Sequence, residues 1–456
     1  MSETRILLVK TSSLGDVVHL LPALTEAAAQ RPDVRFDWLV EEAFAEIPAW
    51  HPAVSRVIPV AFRAGRRAPL QFWRDGYWQA FTERLRQHQY DLIIDAQGLL
   101  KSALLASRAI GRRAGPDMGS AREPLAALSY GRRLPVPRGV HAVERLRHLL
   151  AGAFGYEVGS EPPDYGLDAR VSDLQREHGA QRDEVLLLHG TTWLDKHWPE
   201  PHWRELARRL RADGLRAVLP WGNDAERARA ERIAQAADGE VLNKGPLATL
   251  FERMALARAV VGVDSGLLHM AAAAGVPGIG LYGPTDPART GTWGGRIRDL
   301  QANLSCIPCL SRRCLSVEPV RVDQATGTAL EPPCLGALLP AGVGQALHAV
   351  LDSARQTAQQ TLVVKGALQK GAQQRGARQR GARQRGAQQN ATPQEAARWP
   401  QQIAVQAIDP APHEAGQSEQ QSRRQALQQP SPDQRPPEHQ PPHRSAGHVP
   451  GSSGSP

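Results

Sequence analysis

Four short fragments hold most of the residues whose types and spacing could do chemistry. The first, Lys10-Thr-Ser-Ser-Leu-Gly-Asp16, follows the apolar run ILLV and puts a carboxylate one residue after a glycine. A turn and a helix start need only a cap such as Ser13. A carboxylate there can also take a proton from an acceptor hydroxyl within hydrogen-bond reach. Gly15 would let a ligand approach the backbone closely. The plainer alternative is that Ser13 or Asp16 does nothing but cap the helix.

The second fragment is HGTTWLDKHWPEPHW. The hydroxyls of Thr191 and Thr192 suit phosphate oxygens, and Lys196 adds a point charge that can hold a diphosphate or stabilise one as it leaves. The alternative is a plain turn with a solvated lysine. The Trp198 and Trp203 pair reads as packing. In the third fragment, LPWGNDAERARA, Glu226 lies in the first turn of a helix just after a strand. It can receive ribose hydroxyls, as acids do in nucleotide-binding folds, or merely complement the helix dipole. The fourth, GVDSGLLHMAAAAGVPGIGLYGPTDP, opens a helix at Ser265-Gly266, whose N-terminal N–H groups form a diphosphate site. Asp264 caps that helix or holds a sugar hydroxyl, and His269 faces the phosphate or simply lies on the helix surface.

These fragments need elements to position them. RILLVK, VRFDWLVEE, RVIPVAF and YDLIIDAQG read as strands, with VVHLLPALTEAAAQ and YWQAFTERLRQH as helices. The rhythm restarts near residue 184 with EVLLLHG, LRAVLPWG, AVVGVD and GIGLYG as strands between helical patterns. Two βα series, joined by a Pro- and Gly-rich stretch from Val158 to Gly166, predict an α/β protein with two Rossmann-like domains facing across a cleft. Ligands in such sheets bind beyond the carboxyl ends of the strands, and all four fragments fall there.

Composition narrows the function classes. The chain has 456 residues, 41% of them hydrophobic, and a formal charge of +9. From Thr357 onward there are 12 Lys or Arg and 6 Asp or Glu, so two thirds of the excess lies in the tail and the body is unremarkably charged. That argues against a specific nucleic-acid partner. No apolar run reaches the ~20 residues of a membrane span, and the N-terminus lacks a secretory pattern, so a cytoplasmic location is expected. From Gly366 to Asn390 five-residue units such as GARQR follow one another, and Gln, Pro, Ser and Arg dominate to the end. Such a segment cannot bury enough apolar surface to fold, so disorder is expected from 359 to 456. The four cysteines, Cys306, Cys309, Cys314 and Cys334, have a C-x2-C-x4-C-x19-C spacing that could bind structural zinc or leave reduced thiols.

Together, KTSSLGDVVHLLPAL, FDWLVEEAFAEIP, DAQGLLKSA, AREPLAALSY, HAVER, TTWLDKHWPEPHWREL, LPWG, VDSGLLHMAAA and YGPTDP resemble the lipopolysaccharide heptosyltransferases of glycosyltransferase family 9, which have the GT-B fold. The likeness covers residues 5 to about 290 and is nearest to members that add the first heptose to the inner core.

The resemblance implies an acceptor domain over 1–165, an ADP-heptose-binding domain over 180–335 and a C-terminal helix over 336–358. It implies ADP-L-glycero-β-D-manno-heptose as donor, with Kdo₂-lipid A as acceptor at the inner face of the cytoplasmic membrane. Asp16 would be the catalytic base and Lys196 the donor-phosphate residue. Ser13, Gly15, Thr191, Thr192, Glu226, Asp264, Ser265, Gly266 and His269 would meet the donor. Arg63, Arg66, Arg67, Arg122 and His141 would face the acidic acceptor. The family is inverting, so one carboxylate suffices and no cofactor or metal is expected in the reaction. The resemblance leaves open a sister member with another acceptor; the basic tail leaves open a non-catalytic binding protein.

Overall fold

The computed structural model describes residues 4–360, apart from 162, 180, 315, 317–319, 325, 326 and 358. The disorder expected from 359 to 456 falls outside that range except at 359 and 360, which are helical.

Six strands form the first sheet: β1 (Thr4–Val9), β2 (Val34–Glu41), β3 (Val54–Val60), β4 (Gln89–Asp95), β5 (Ile110–Pro116) and β6 (Arg132–Leu134). All pair in parallel, in the order β3-β2-β1-β4-β5-β6. Six more form the second: β7 (Arg182–Leu188), β8 (Arg216–Leu219), β9 (Glu240–Val241), β10 (Ala257–Val263), β11 (Gly278–Tyr282) and β12 (Ile297–Gln301). They too are parallel, in the order β12-β11-β10-β7-β8-β9. Numbered within its own lobe, each sheet has the doubly wound order 3-2-1-4-5-6.

The central strands are covered on both faces, so they are uninterrupted apolar runs. Ile6, Leu7, Leu8 and Val9 are buried, as are Leu186, Leu187 and Leu188. Strands β5, β6, β9 and β12 lie beyond the apolar runs that sequence patterning picks out. β5 is IGRRAGP, with two glycines and two arginines, and β9 has two residues. Residues 340–357 are helical, and Val343, Leu347 and Leu351 pack onto the core beside Val185 and Leu187. Trp198 and Trp203 belong to the same core, edge to face with centroids 4.9 Å apart, so their role is packing.

One hydrophobic cluster runs from the first lobe into the second, joining Ile6, Leu20 and Trp38 to Phe251, Met254 and Leu268. Trp50 lies 4.6 Å from Phe251, and the Glu46 carboxylate accepts the N–H groups of Leu247 and Ala248 at the start of the helix Leu247–Leu256.

Each sheet changes winding direction between its two central strands, β1 and β4 in the first and β7 and β10 in the second. Those are the crevices in which doubly wound folds bind ligands.

Candidate active site

At the first crevice, the turn after β1 is clamped by the turn after β4. Gln97 Oε1 accepts the N–H of Thr11 at 2.9 Å and of Ser12 at 3.2 Å, and Gln97 Nε2 donates to the Ser12 carbonyl at 2.6 Å. Lys10 Nζ donates to the Ala96 carbonyl at 3.1 Å. Asp95 holds the β4 turn from below, accepting the N–H groups of Gln97 and Gly98 and the hydroxyls of Ser102 and Tyr130.

This clamp fixes the start of the helix Leu14–Gln30 and therefore Asp16. Asp16 divides its two oxygens. Oδ2 accepts the Ser13 N–H at 2.7 Å and the Ser13 hydroxyl at 3.1 Å, while Oδ1 faces Lys10 Nζ at 3.7 Å. The acid is thus a helix cap with a second oxygen turned toward the crevice. Burial opposes ionisation of Asp16, but Lys10, the Ser13 N–H and Arg122 outweigh it and hold the carboxyl below its ordinary range. Lys10 is lowered, chiefly by burial, and Arg122 and Arg145 add to that lowering. Two cations, Lys10 and Arg122, therefore act on the carboxylate, and Arg145 stands behind Lys10.

The second crevice is built the same way. After β7 come Thr191 and the short turn Leu194–Lys196; after β10 come Asp264 and the helix Gly266–Ala273. Lys196 Nζ sits 2.6 Å from Asp264 Oδ2, which also accepts the Thr285 hydroxyl at 2.6 Å. Thr191 Oγ1 donates to the Asp264 carbonyl at 3.2 Å. Lys196 lies over the Trp193 ring, 4.5 Å from its centroid, and Arg312 lies over the same ring at 5.0 Å. Ser265 caps the helix with extended backbone, and its Oγ is buried without a partner among the described residues. A phosphate oxygen is the kind of acceptor that hydroxyl lacks, and the adjoining helix terminus favours an anion.

Glu226 spans two strand ends. Its Oε2 accepts the Gly222 N–H at 2.7 Å, and its carboxyl lies so near Gly190 that a Cβ there would come within 2.9 Å. That puts an acid at the outer edge of the crevice, one strand over from the Lys196 turn. Thr192, two residues after Gly190, is exposed.

The two crevices meet through a histidine contact. His19 Nε2 lies 3.2 Å from His269 Nδ1, and His269 Nε2 lies 3.9 Å from Asp264 Oδ1. His141 packs edge-on to His19 at 5.7 Å and its Nε2 donates to the Gly291 carbonyl at 3.1 Å. Burial pushes His269 down to about 4 and His19 well below the usual range, so both rings are neutral near pH 7. His269, expected either to face the phosphate or simply to lie on the helix surface, is a buried ring against the other lobe. His141 likewise bridges the lobes. Gly15 and Gly266 meet each other there, which gives their lack of a Cβ a packing reason in addition to ligand approach.

Among the arginines, Arg122 faces the crevice closely enough to shift Asp16. Arg63 stands over the Phe44 ring at 5.1 Å, on the helix Phe62–Arg67. The side chains of Arg66 and Arg67 lie outside the described set. The four cysteines form no disulfide; burial pushes the Cys334 thiol up to about 11, and the other three thiols are near enough to raise it further. Among the described residues, no group of three or more His, Cys, Asp or Glu side chains could hold a metal ion.

Sequence reasoning passed over Lys10, His19, Gln97, Arg145 and Thr285. Lys10 and Thr285 lie inside fragments already singled out, and Arg145 lies in HAVER. His19 reads as part of an apolar helix face, and only the opposing lobe shows its partner.

A model of glycosyltransferase family 9 (heptosyltransferase) matches residues 78–318. The chain belongs to this family. A curated relative, the lipopolysaccharide heptosyltransferase 1 of Pseudomonas aeruginosa, is 49% identical over 352 residues, 76% of this chain and 98% of that protein. The enzyme of the same name from Escherichia coli K12 is 47% identical over 293 residues, 64% and 91% of the two chains. Among solved structures, E. coli heptosyltransferase WaaC with ADP has a TM-score of 0.66 at 40% identity, covering 76% of this chain and all of that one. By contrast, the heptosyltransferase 2 of E. coli K12 matches over only 99 residues at 33% identity. The fold is therefore GT-B and the protein is a glycosyltransferase of family 9.

Proposed function

We propose that the chain is an inverting heptosyltransferase that moves L-glycero-D-manno-heptose from ADP-heptose to Kdo of Kdo₂-lipid A. The observation that carries this reading is the division of Asp16, whose Oδ2 is tied to Ser13 while Oδ1 is turned to a crevice lined by Lys10. A cap alone has no use for that second oxygen. Type 1 rather than type 2 is favoured because the likeness to type 1 runs nearly the whole length of those relatives.

In this reading Asp16 Oδ1 removes the proton from the acceptor hydroxyl. The hydroxyl oxygen attacks the anomeric carbon of heptose, and the bond from that carbon to the diphosphate oxygen breaks with its electron pair leaving on ADP. The depressed pKa keeps Asp16 ionised at neutral pH, and deprotonation is timed to the moment the attacked hydroxyl becomes acidic. Lys196, the Ser265 hydroxyl and the N–H groups opening the helix Gly266–Ala273 receive the charge growing on the diphosphate. Thr191, Thr192 and Gly266 line the donor, and neutral His269, buried between the lobes, backs the helix start behind them. Asp264 holds Lys196 in place or a sugar hydroxyl, and Glu226 takes the ribose. Lys10, Arg122 and Arg145 suit an acidic acceptor sugar, and Arg63, Arg66 and Arg67 add to the positive charge of the same lobe.

Among the described residues no helix is long and apolar enough to cross a membrane. A cytoplasmic enzyme peripheral to the inner membrane fits a lipid-linked acceptor. The test is transfer with purified ADP-heptose and Kdo₂-lipid A, followed by mass spectrometry. Addition of one heptose to Kdo₂-lipid A, and none to an acceptor that already carries it, is expected. The reverse preference would assign the chain to another member activity.

A further inference from the structure

Beside the Asp16 crevice the first lobe exposes a group of leucines for which the fold has no use. The helix Leu100–Ala106 buries Ser102, Ala103, Leu105 and Ala106, and leaves Leu100 and Leu104 50% and 56% exposed. The 3₁₀ helix Pro124–Ser129 packs against it through Ala126 and Ala127, which join Ala103 and Tyr130 in one small cluster. That same 3₁₀ helix leaves Leu125 and Leu128 59% and 60% exposed. Single exposed leucines are ordinary; four on two touching elements form a patch that calls for a partner.

The charge around the patch says what kind. Residues 99–133 contain seven Lys or Arg and two Asp or Glu. One of the two acids, Glu123, is occupied at the start of the helix, accepting the Leu100 N–H at 2.7 Å. Arg108 is exposed just past the end of that helix, and Arg133 is held to the 3₁₀ helix by donating to the Ala127 carbonyl at 3.0 Å. Apolar side chains flanked by cations such as Arg108 and Arg133 match an anionic bilayer surface, in which leucines enter the acyl boundary and cations meet headgroup phosphates. The patch is also tied to the crevice. Lys101, next to Leu100, donates to Ser12 Oγ at 3.0 Å, and Arg122, three residues before Leu125, helps hold Asp16 ionised.

We infer that the Leu100, Leu104, Leu125 and Leu128 face docks on an anionic lipid surface and so presents the Asp16 crevice to a sugar projecting from that surface. This rests on the proposed lipid-linked acceptor for its purpose, but its test does not need the acceptor. The full chain is sedimented with vesicles of phosphatidylglycerol and phosphatidylethanolamine, and with purely zwitterionic vesicles, at physiological salt. The chain is expected to bind the anionic vesicles at least ten times more tightly. The double variant Leu104→Asp and Leu128→Asp should lose at least tenfold of that binding, and Arg108→Glu a smaller part. These side chains are exposed, so the variants should melt with the wild type and retain transfer to a soluble, deacylated acceptor while losing transfer to vesicle-bound acceptor. Unchanged sedimentation of the double variant would overturn the inference, since the basic tail would then be what binds. Equal binding to zwitterionic vesicles would also overturn it. So would wild-type self-association in sedimentation velocity that the double variant abolishes, because the face would then join two copies. Failure of soluble transfer by the wild type would instead sink the proposed reaction and leave the vesicle result standing.

Discussion

Gly15 and Gly266, one from each lobe, meet so closely that neither has room for a Cβ. A Cβ on Gly266 would stand 2.7 Å from Leu14 Cβ and 3.1 Å from the Gly15 nitrogen; one on Gly15 would stand 2.8 Å from His269 Cδ2. The helix bearing Asp16 and the helix opening the proposed diphosphate site therefore touch by their first turns. Gly266→Ala presses on a Cβ, which cannot rotate away, so the lobes must separate. Overpacking of this kind costs about 1–3 kcal/mol. A lowered melting temperature with a fall in kcat is expected. Gly15→Ala presses on a ring held by His19 and should behave similarly. Wild-type melting and turnover in both variants would mean that the lobes do not work in this contact.

Asp16 both caps a helix and faces the crevice, and one substitution separates the roles. Asp16→Asn keeps an oxygen that can accept the Ser13 N–H, so helix and fold survive. It removes the base, and the loss should be on the order of 10²–10⁴ in kcat. ADP binding by calorimetry should stay within a few fold of wild type. If the asparagine variant turns over normally, the carboxylate is only a cap.

The strands of both crevices are legible in the sequence because a doubly covered parallel strand has to be apolar throughout, as ILLV and VLLL are. Asp264 stands out because a charge directly after such a strand is unexpected unless it is used, and Asp16 and Lys196 because they lie in the turn or helix start that follows one. What was not legible depends on distance in sequence. His19 and His269 are 250 residues apart, and each alone looks like a residue on an apolar helix. Gln97 is invisible as a clamp until the β4 turn is laid beside the β1 turn. β5 fails the apolar test because Gly111 and Gly115 press on the Tyr90 backbone and the Tyr130 ring, where larger side chains do not fit.

The buried histidines make stability depend on pH. Burial, the largest cause in each, lowers His269, His51 and His202 to about 4 and His189 to about 3. An unfolded histidine binds its proton near pH 6.5, so between pH 6.5 and 4 the unfolded state holds more protons. Their neutral burial costs nothing in protonation above pH 6.5, and stability falls as the pH drops through that window, by at most about 1.4 kcal/mol per pH unit for each ring. Asp299 opposes this: burial raises it to about 6, so its contribution is full below pH 3.8 and lost as pH rises through 6. Four rings outweigh one acid. Urea midpoints should fall steadily from pH 7 to pH 5, and a flat profile would contradict the neutral, buried rings.

The helix bearing Asp16 is fastened at its other end by a buried ion pair. Arg147 Nε and Nη2 donate to the two oxygens of Glu26 at 2.9 and 2.8 Å, and Nη2 also reaches the Gly159 carbonyl. Burial opposes ionisation of Glu26, but the Arg147 hydrogen bonds outweigh it and lower its pKa. Arg147 Nη1 also donates to Glu144 at 2.8 Å, so Glu26→Gln weakens the pairing of a buried charge without stranding it and should destabilise by about 1–3 kcal/mol. Arg147→Met removes the other buried charge, and the double variant should recover part of the loss, because the carboxylate then left without its cation is the partly exposed Glu144, which water can solvate. The Asp16 end of the helix is held separately by Gln97 and by the second lobe. Turnover per folded molecule, measured well below the melting temperature, should therefore stay near wild type. A large kcat loss in the fully folded double variant would show instead that this fastening sets the position of the carboxylate.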